Sequence, residues 1–328
     1  MFEFLKKLFR RKTDMGDINI KELELIIRNY LGSENLKTMM IADKYYTSQH
    51  DILNRIRKAI GKNGELVPVK NLPNNKIIDN MFTGAVDQKT NYLLSKNLTL
   101  TSQNKRFIDE LNKIFNSNFL KLLHSLGKDA YKYGIAFLYV FYNEDGELSF
   151  KKFNAKEIIP IWKDESHEEL DYCIRLYKTK KFTGIDYKEI TNVEIYFYSW
   201  DNGLIKVKES INHMQVENKG YNWEHLPIIP FKANELEIPL IARVKSIQDA
   251  INEITSDFKN DMEENARTTI LIIKNFAGEG DTLRHNINTY GYIPVRDNGG
   301  VEPLNIEVNA SNYESILKLL KKAFIENA

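Results

Sequence analysis

The segment from residue 239 to residue 270 constrains the fold more than any other part of this sequence. Its apolar residues recur at the 3.6-residue period of an α-helix, at Ile247, Ile251, Ile254, Phe258 and Met262. The pattern predicts a single helix of about 32 residues and about 48 Å. Helices in globular proteins are usually about a third of that length, so the segment is typical of a stalk.

A second row of side chains on this segment is acidic and lies about 200° round the helix from the apolar row. Its members, called the acidic row below, are Asp249, Glu253, Asp257, Asp261 and Glu264. Like charges four residues apart destabilise a helix by about 0.2–0.5 kcal/mol per pair, and only Lys259 interrupts the acid. A solvated helix face is the usual explanation. The length of the helix and the lack of balancing bases favour a functional role.

Composition narrows the class of protein. The chain has 328 residues, of which 42% are hydrophobic and 28% charged, as in an ordinary globular protein. A net charge of +1 predicts no bulk attraction to nucleic acid. The single cysteine, Cys173, excludes an internal disulfide, and we expect a buried thiol in a reducing compartment. Residues 1–18 form a basic, amphipathic arm, and no apolar run is long enough to span a bilayer.

Periodicity predicts an α+β chain, helical at first and then rich in strands. The predicted helices cover residues 19–31, 34–46, 50–60, 74–95, 104–115 and 124–134, the last ending at Gly134. A hairpin with Asp145-Gly146 at its turn follows, and further strands are predicted at 157–161, 172–178, 193–199 and 204–208. Pro227 and Pro230 place residues 222–234 at an edge or in a connecting strand.

After the long helix, the pattern predicts a small β module and a return helix. The strand-like stretches are 268–276 and 290–308, and the helix is 309–328, capped by Asn309 or Ser311. The return helix carries Lys318, Lys321 and Lys322, so that acid can pair with base between neighbouring stalks. Because a lone stalk cannot bury both its flanks, we expect side-by-side assembly in a ring.

Enzymatic chemistry has little support in the sequence. The six histidines do not pair at helical spacing, and no G-x-S-x-G elbow is present, so we predict no catalytic residue, metal site or cofactor. The best enzymatic alternative is a Mg²⁺-dependent nuclease that uses Asp257, Asp261 and Glu264. A third hypothesis is another virion or scaffold protein that uses the stalk only for protein contacts.

Several stretches, in order, resemble the portal proteins of tailed bacteriophages of the SPP1 type. The resemblance runs from about residue 20 to the end of the chain. It is carried by KYYTSQHDILNR, NNKIIDNMFTGAVDQKTNYLLSKNLTL, KDAYKYGIAFLYVFYNEDGELSF, FNAKEIIPIW, HLPIIPFKAN and IQDAINEITSDFKNDMEENA. Each stretch is a soft pattern, and the combination in this order is more specific.

The resemblance implies a portal-like fold divided along the chain. Residues 1–18 would be the N-terminal arm, 19–239 a wing of helices and antiparallel strands, 240–273 the first stem helix, 274–308 the clip, and 309–328 an incomplete second stem helix. Members of the family usually continue into further wing and a helical crown. The resemblance therefore implies that the chain is truncated before the crown.

The implied function is a ring of about twelve subunits at one vertex of the virion capsid, assembled in the host bacterial cytoplasm. Double-stranded DNA would pass through the ring without sequence specificity, and the acidic row would line the channel and repel phosphates. Lys318, Lys321 and Lys322 would make contacts between subunits, and Arg284 and Arg296 are candidates for clip contacts with the terminase. Implied partners are the terminase large subunit, the major capsid and scaffolding proteins and a head-completion adaptor, with no membrane.

Overall fold

The computed structural model describes most of the chain. The described residues are 20–60, 63–69, 72–96, 98–182, 184, 186–199, 203–210, 213–217, 223, 225–267, 270–278, 282–283, 285, 287, 289, 293–304 and 309–328. The predicted arm and Arg284 lie outside them. The chain divides into two units, of which unit 1 comprises Met1–Gln49, Asn80–Lys245 and Ala328, and unit 2 comprises His50–Asp79 and Ser246–Asn327.

The described residues form an α+β protein, as predicted. The helices are α1 (Ile20–Gly32), α2 (Glu34–Tyr46), α3 (Met81–Leu94), α4 (Lys105–Ile114), α5 (Ser117–Tyr133), α6 (Leu240–Arg267) and α7 (Ala310–Asn327). The strands are β1 (Lys58–Ile60), β2 (Leu66–Pro68), β3 (Ile135–Tyr142), β4 (Leu148–Phe153), β5 (Ile158–Trp162), β6 (Leu170–Phe182), β7 (Tyr187–Ser199), β8 (Gly203–Ser210), β9 (His213–Glu217), β10 (Ile228–Lys232), β11 (Ile270–Phe276) and β12 (Val295–Leu304). No helix among these residues combines the length and the apolar character needed to cross a bilayer.

Side-chain caps set the starts of α2, α3, α4 and α5. Ser33 Oγ accepts a hydrogen bond from the backbone N–H of Leu36 (3.2 Å) at the start of α2. Helix α5 ends at Gly134, as predicted, with φ +85°. A Cβ at this position would lie 2.0 Å from the carbonyl oxygen of Glu237, so only glycine fits.

Two antiparallel sheets carry the core of unit 1. One has the order β10-β3-β4 and the other the order β5-β6-β7-β8-β9. Pro230 lies opposite Phe137 on the edge strand β10, in agreement with the predicted edge position. Leu23 and Ile27 of α1 pack against the second sheet. Cys173 is fully buried in the core, as expected, and burial raises the pKa of its thiol.

Unit 2 contains the hairpin β1–β2, most of α6, the antiparallel pair β11–β12 and α7. The predicted long helix is present as α6, with 28 residues. The cap of α7 is Asn309, whose Oδ1 accepts from the N–H of Asn312 (3.1 Å).

Two sequence-based predictions in unit 2 are wrong. Residues 50–60 form a 3₁₀ turn at Asp51–Asn54 followed by strand β1 instead of a helix. The helix predicted from residue 74 begins at Met81, and the residues before it are extended. The reason lies on the surface of α6, to which this extended segment is hydrogen-bonded.

Candidate functional site

The apolar row of α6 packs as the sequence predicts only in part. Ile251 is fully buried, and the ring of Phe258 lies 5.0 Å from that of Tyr313 on α7. Met262 is 48% exposed. The apolar row therefore contributes a ring contact with α7, and polar residues of α6 make other contacts within unit 2.

A row of uncharged polar side chains on α6 is as deeply buried as the buried apolar residues of the same helix. The polar row consists of Gln248, Asn252, Ser256 and Asn260, which are 0%, 0%, 0% and 2% exposed. Buried amides and hydroxyls require hydrogen-bond partners, because their desolvation is otherwise uncompensated. This row was not among the predicted site residues, although four uncharged polar residues at a spacing of four are visible in the sequence.

The partners are backbone groups of residues 73–79, called the strap below. Every fourth residue of α6 binds every second residue of the strap. The bonds run from Asp79 N to Asn252 Oδ1 (3.0 Å), from Ile77 N to Ser256 Oγ (2.9 Å), from Asn75 N to Asn260 Oδ1 (2.7 Å), and from Gln248 Nε2 to Asp79 O (2.6 Å).

The match between helix and strap follows from their geometry. Residues four apart on a helix lie on a line inclined about 26° to its axis, so their spacing along that line is about 6.7 Å. Two residues of extended chain span about 6.6–6.8 Å. The strap is therefore extended because an extended chain, unlike a helix, can place a backbone N–H opposite each side chain of the polar row.

Asp257, Asp261 and Glu264 of the acidic row bind side chains from other segments of unit 2. Asp257 forms an ion pair with Arg55 (2.7 Å), and Glu264 forms one with Arg57 (2.6 Å). Asp261 accepts a hydrogen bond from Tyr313 Oη (2.6 Å), which raises the pKa of Tyr313 to about 12. Of the other two members, Glu253 is exposed and Asp249 is half-buried. Because these partners lie on other segments of the chain, the sequence of α6 alone does not reveal them.

The other predicted site residues lie on α7 and β12. Lys321 forms an ion pair with Asp79 of the strap (2.7 Å). Lys318 pairs with Glu314 (2.7 Å), and Lys322 lies 3.7 Å from Glu326, both within α7. Arg296 is exposed on β12. Of the three lysines, Lys321 alone forms its ion pair with another element.

The nuclease hypothesis requires Asp257, Asp261 and Glu264 to converge on one ion. In the structure the three carboxylates bind three different partners, Arg55, Tyr313 and Arg57. Among the described residues, no three His, Cys, Asp or Glu side chains are grouped as metal ligands. The arrangement stabilises unit 2 and does not resemble a metal centre.

Comparison with known proteins identifies the family. A family model described as phage portal protein, SPP1 Gp6-like, matches residues 30–327. The chain belongs to this family. It is 25% identical over 313 residues to the portal protein of Bacillus phage SPP1, covering 92% of this chain and 62% of that protein. It is also 26% identical over 311 residues to the portal protein of Clostridium phage phiCD119, covering 87% of this chain and 67% of that one.

Family membership confirms the resemblance identified from the sequence. The portal family is structural and not enzymatic, so the nuclease alternative is not supported. The chain spans less than two thirds of the length of the SPP1 portal protein that it matches.

Proposed function

We propose that this protein is a phage portal subunit that assembles into a ring of about twelve copies at one capsid vertex. Double-stranded DNA passes through the ring during packaging and ejection, without sequence specificity. The family match over residues 30–327 carries this proposal. The long helix α6, with 28 residues, supports it because a channel wall needs an extended rod from each subunit.

In this proposal the chain is divided as the resemblance implies. Residues 19–239 form the wing, residues 240–273 and 309–328 the stem, and residues 274–308 the clip. The antiparallel sheets of unit 1 support the wing assignment, and the order of α6, the pair β11–β12 and α7 along the chain supports the stem and clip.

The acidic row is proposed to line the channel and to repel DNA phosphates. Glu253 is exposed and would contribute most. The ion pairs of Asp257 with Arg55 and of Glu264 with Arg57 neutralise part of the negative charge at the other end of the row. Weak net repulsion keeps a sliding duplex centred, whereas exposed arginines would bind phosphates and add salt-dependent drag.

The proposed partners follow from the same role. Lys318, Lys321 and Lys322 are proposed to contact the neighbouring subunit, and the exposed positions of Lys318 and Lys322 on α7 support this. Arg296 on the exposed strand β12, with Arg284, is proposed to contact the terminase large subunit. The capsid and scaffolding proteins and a head-completion adaptor complete the set of partners.

Assembly is tested by light scattering and negative-stain microscopy of the purified chain. We expect a mass near twelve subunits and rings with an open centre. A stable monomer at high concentration would contradict the proposal. An assembly without an open centre would favour the third hypothesis, a virion protein that uses its long helices only for protein contacts.

The channel assignment is tested by charge reversal. We expect rings of Glu253→Lys to retain double-stranded DNA at low salt, with the retention lost as salt rises. The matched control is Glu168→Lys, because Glu168 is an exposed glutamate in unit 1. Equal retention by the two variants would show that residue 253 does not face the channel.

A further inference from the structure

Most bonds between the polar row and the strap are made to backbone groups of the strap. The N–H groups of Asn75, Ile77 and Asp79 are the donors to Asn260, Ser256 and Asn252. Every residue except proline carries such a group. These bonds therefore require only that every second strap residue lies opposite a residue of the polar row. They do not specify which strap residue lies opposite which helix residue.

A second register is available towards the C-terminal end of α6. If the strap moves by two residues, the N–H groups of Ile77 and Asp79 come opposite Asn260 and Ser256. The N–H of Asn75 then comes opposite the carboxylate of Glu264, which continues the polar row by one more turn. Asn252 Oδ1 then no longer accepts from the N–H of Asp79, but it still accepts from Gln248 Nε2 (3.1 Å). All four acceptors remain satisfied.

The opposite movement leaves a buried acceptor without a donor. It would place residue 73 opposite Asn260, and residue 73 is proline, which has no N–H. Asn260 is only 2% exposed, so water cannot easily replace the missing donor. An unsatisfied buried acceptor carries its full desolvation penalty. The sequence of the strap therefore permits one direction of movement and opposes the other.

Contacts other than the backbone bonds to the polar row hold the observed register. Lys321 forms its ion pair with Asp79 (2.7 Å), and the side-chain amide of Asn75 donates to Asn260 Oδ1 (3.0 Å). Arg57 donates to Pro73 O (2.9 Å) and to Glu264 (2.6 Å). Asn74 Nδ2 also donates to Arg55 O (3.2 Å), and Lys76 Nζ donates to Leu53 O (2.6 Å). These contacts are exposed or only partly buried, and exposed ion pairs contribute little stability.

We propose that the strap and the polar row form a sliding joint, with a second register one helical turn closer to the C-terminal end of α6. This inference goes beyond the proposed portal function and does not depend on ring formation. The movement draws two residues of chain from the side of Asn80, whose side chain caps α3 through Thr83 N (3.0 Å). Opening of this cap accompanies the movement.

Disulfide trapping in the full chain distinguishes the registers. The pair Ile77→Cys with Ser256→Cys reports the observed register. The pair Ile77→Cys with Asn260→Cys reports the proposed one, and Ile77→Cys with Asn252→Cys reports the opposed one. In the observed register the last two pairs are offset along α6 by about 6–7 Å from the facing position. A disulfide requires Cα atoms within about 7 Å of each other, so this offset disfavours both pairs unless the strap moves.

We expect the proposed pair to be trapped at least about tenfold faster than the opposed pair, because only the opposed register leaves a buried acceptor unpaired. Pro73→Ala restores the missing N–H and should remove this difference. Lys321→Met should accelerate trapping of the proposed pair, whereas Lys318→Met should not, because Lys318 pairs within α7. Failure to trap either shifted pair, or equal trapping of both before the proline is replaced, would overturn the proposal.

A second measurement leaves the polar row intact, in case a cysteine there prevents folding. Spin labels at Lys76→Cys and Ser246→Cys occupy exposed positions on the strap and near the N-terminal end of the polar row. We expect two distance populations by pulsed electron resonance, the longer one displaced by about 6–7 Å. A single population, or a second one at a shorter distance, would contradict a joint that slides in the stated direction.

Discussion

Replacement of Ser256 by alanine tests whether the polar row determines the extended strap. The variant removes the hydroxyl that accepts from Ile77 N (2.9 Å), in a residue with 0% exposure. An unpaired, largely desolvated N–H costs about 1–3 kcal/mol, whereas alanine gains about 0.5 kcal/mol of helix propensity. The control is Ser246→Ala, which makes the same chemical change at an exposed position of α6. The two variants should therefore differ by about 1–3 kcal/mol.

Hydrogen exchange of the strap is the appropriate assay, because a chain with two units need not unfold in a single transition. Since about 1.4 kcal/mol corresponds to a factor of ten, peptides covering residues 73–79 should exchange about 5- to 150-fold faster in Ser256→Ala. Ser246→Ala should exchange like the wild type. Equal exchange in both variants would refute the inference that the side chain at residue 256 holds the strap.

Three further predictions concern other parts of the fold. Gly134→Ala should lower the free energy of unfolding by more than about 3 kcal/mol, because its Cβ overlaps a carbonyl oxygen. The control, Gly146→Ala, has φ +78° and open space around the Cβ, so it should lower the free energy of unfolding by only about 1–2 kcal/mol. Thermal unfolding of the two variants measures the difference. Burial tends to raise the pKa of Asp43, but hydrogen bonds from two lysines and a tyrosine lower this pKa on balance. The contribution of Asp43 to stability is therefore present above the ordinary carboxyl pKa and is lost as pH falls through the lowered pKa. Melting temperatures against pH should therefore fall less steeply in acid for Asp43→Asn than for wild type. Tyr313→Phe removes the bond to Asp261 and should cost about 1 kcal/mol at neutral pH; because the pKa of Tyr313 is raised to about 12, urea titrations should show this difference disappearing as pH rises from about 10 through 12.

Local signals in the sequence were sufficient for the helices and strands whose ends are determined by neighbouring residues. The predicted bounds of α2, 34–46, agree with the structure, where Ser33 provides the cap. Gly134 ends α5 because its positive φ is accessible to glycine. In each case the deciding interaction lies within a few residues of the boundary, so the sequence pattern contains it.

The strap could not be predicted in this way. Its sequence continues into α3 and favours one helix from residue 74, whereas the structure keeps residues 73–79 extended. The deciding partners lie far along the chain, where Asn260 binds Asn75 across 185 residues of sequence. Non-local hydrogen bonds of buried groups outweigh local helix propensity, which amounts to less than about 1 kcal/mol per residue.

The acidic row was predicted on the correct helix, but the sequence of that helix does not show the partners of its carboxylates. Its five carboxylates lie on α6 as expected, but Arg55 and Arg57 neutralise two of them from a segment about 200 residues earlier. Like-charge repulsion along a single helix was therefore overestimated from the sequence.

The two rows of α6 differ in charge because they differ in burial. Asn252 and Ser256 belong to the polar row, and Glu253 and Asp257 follow each of them by one residue, about 100° further round the helix. An isolated carboxylate in the buried row would carry a large desolvation cost. The uncharged side chains of Asn252 and Ser256 accept a backbone N–H and also have partners for their donors, as Ser256 Oγ does in the carbonyl oxygen of Asn252 (2.7 Å). At the positions of the acidic row, partial exposure lowers the desolvation cost of a carboxylate, so carboxylates are tolerated there. The helix can thus bind its own chain on one side while it keeps negative charge available on the next, as the channel-lining role proposed for the acidic row requires.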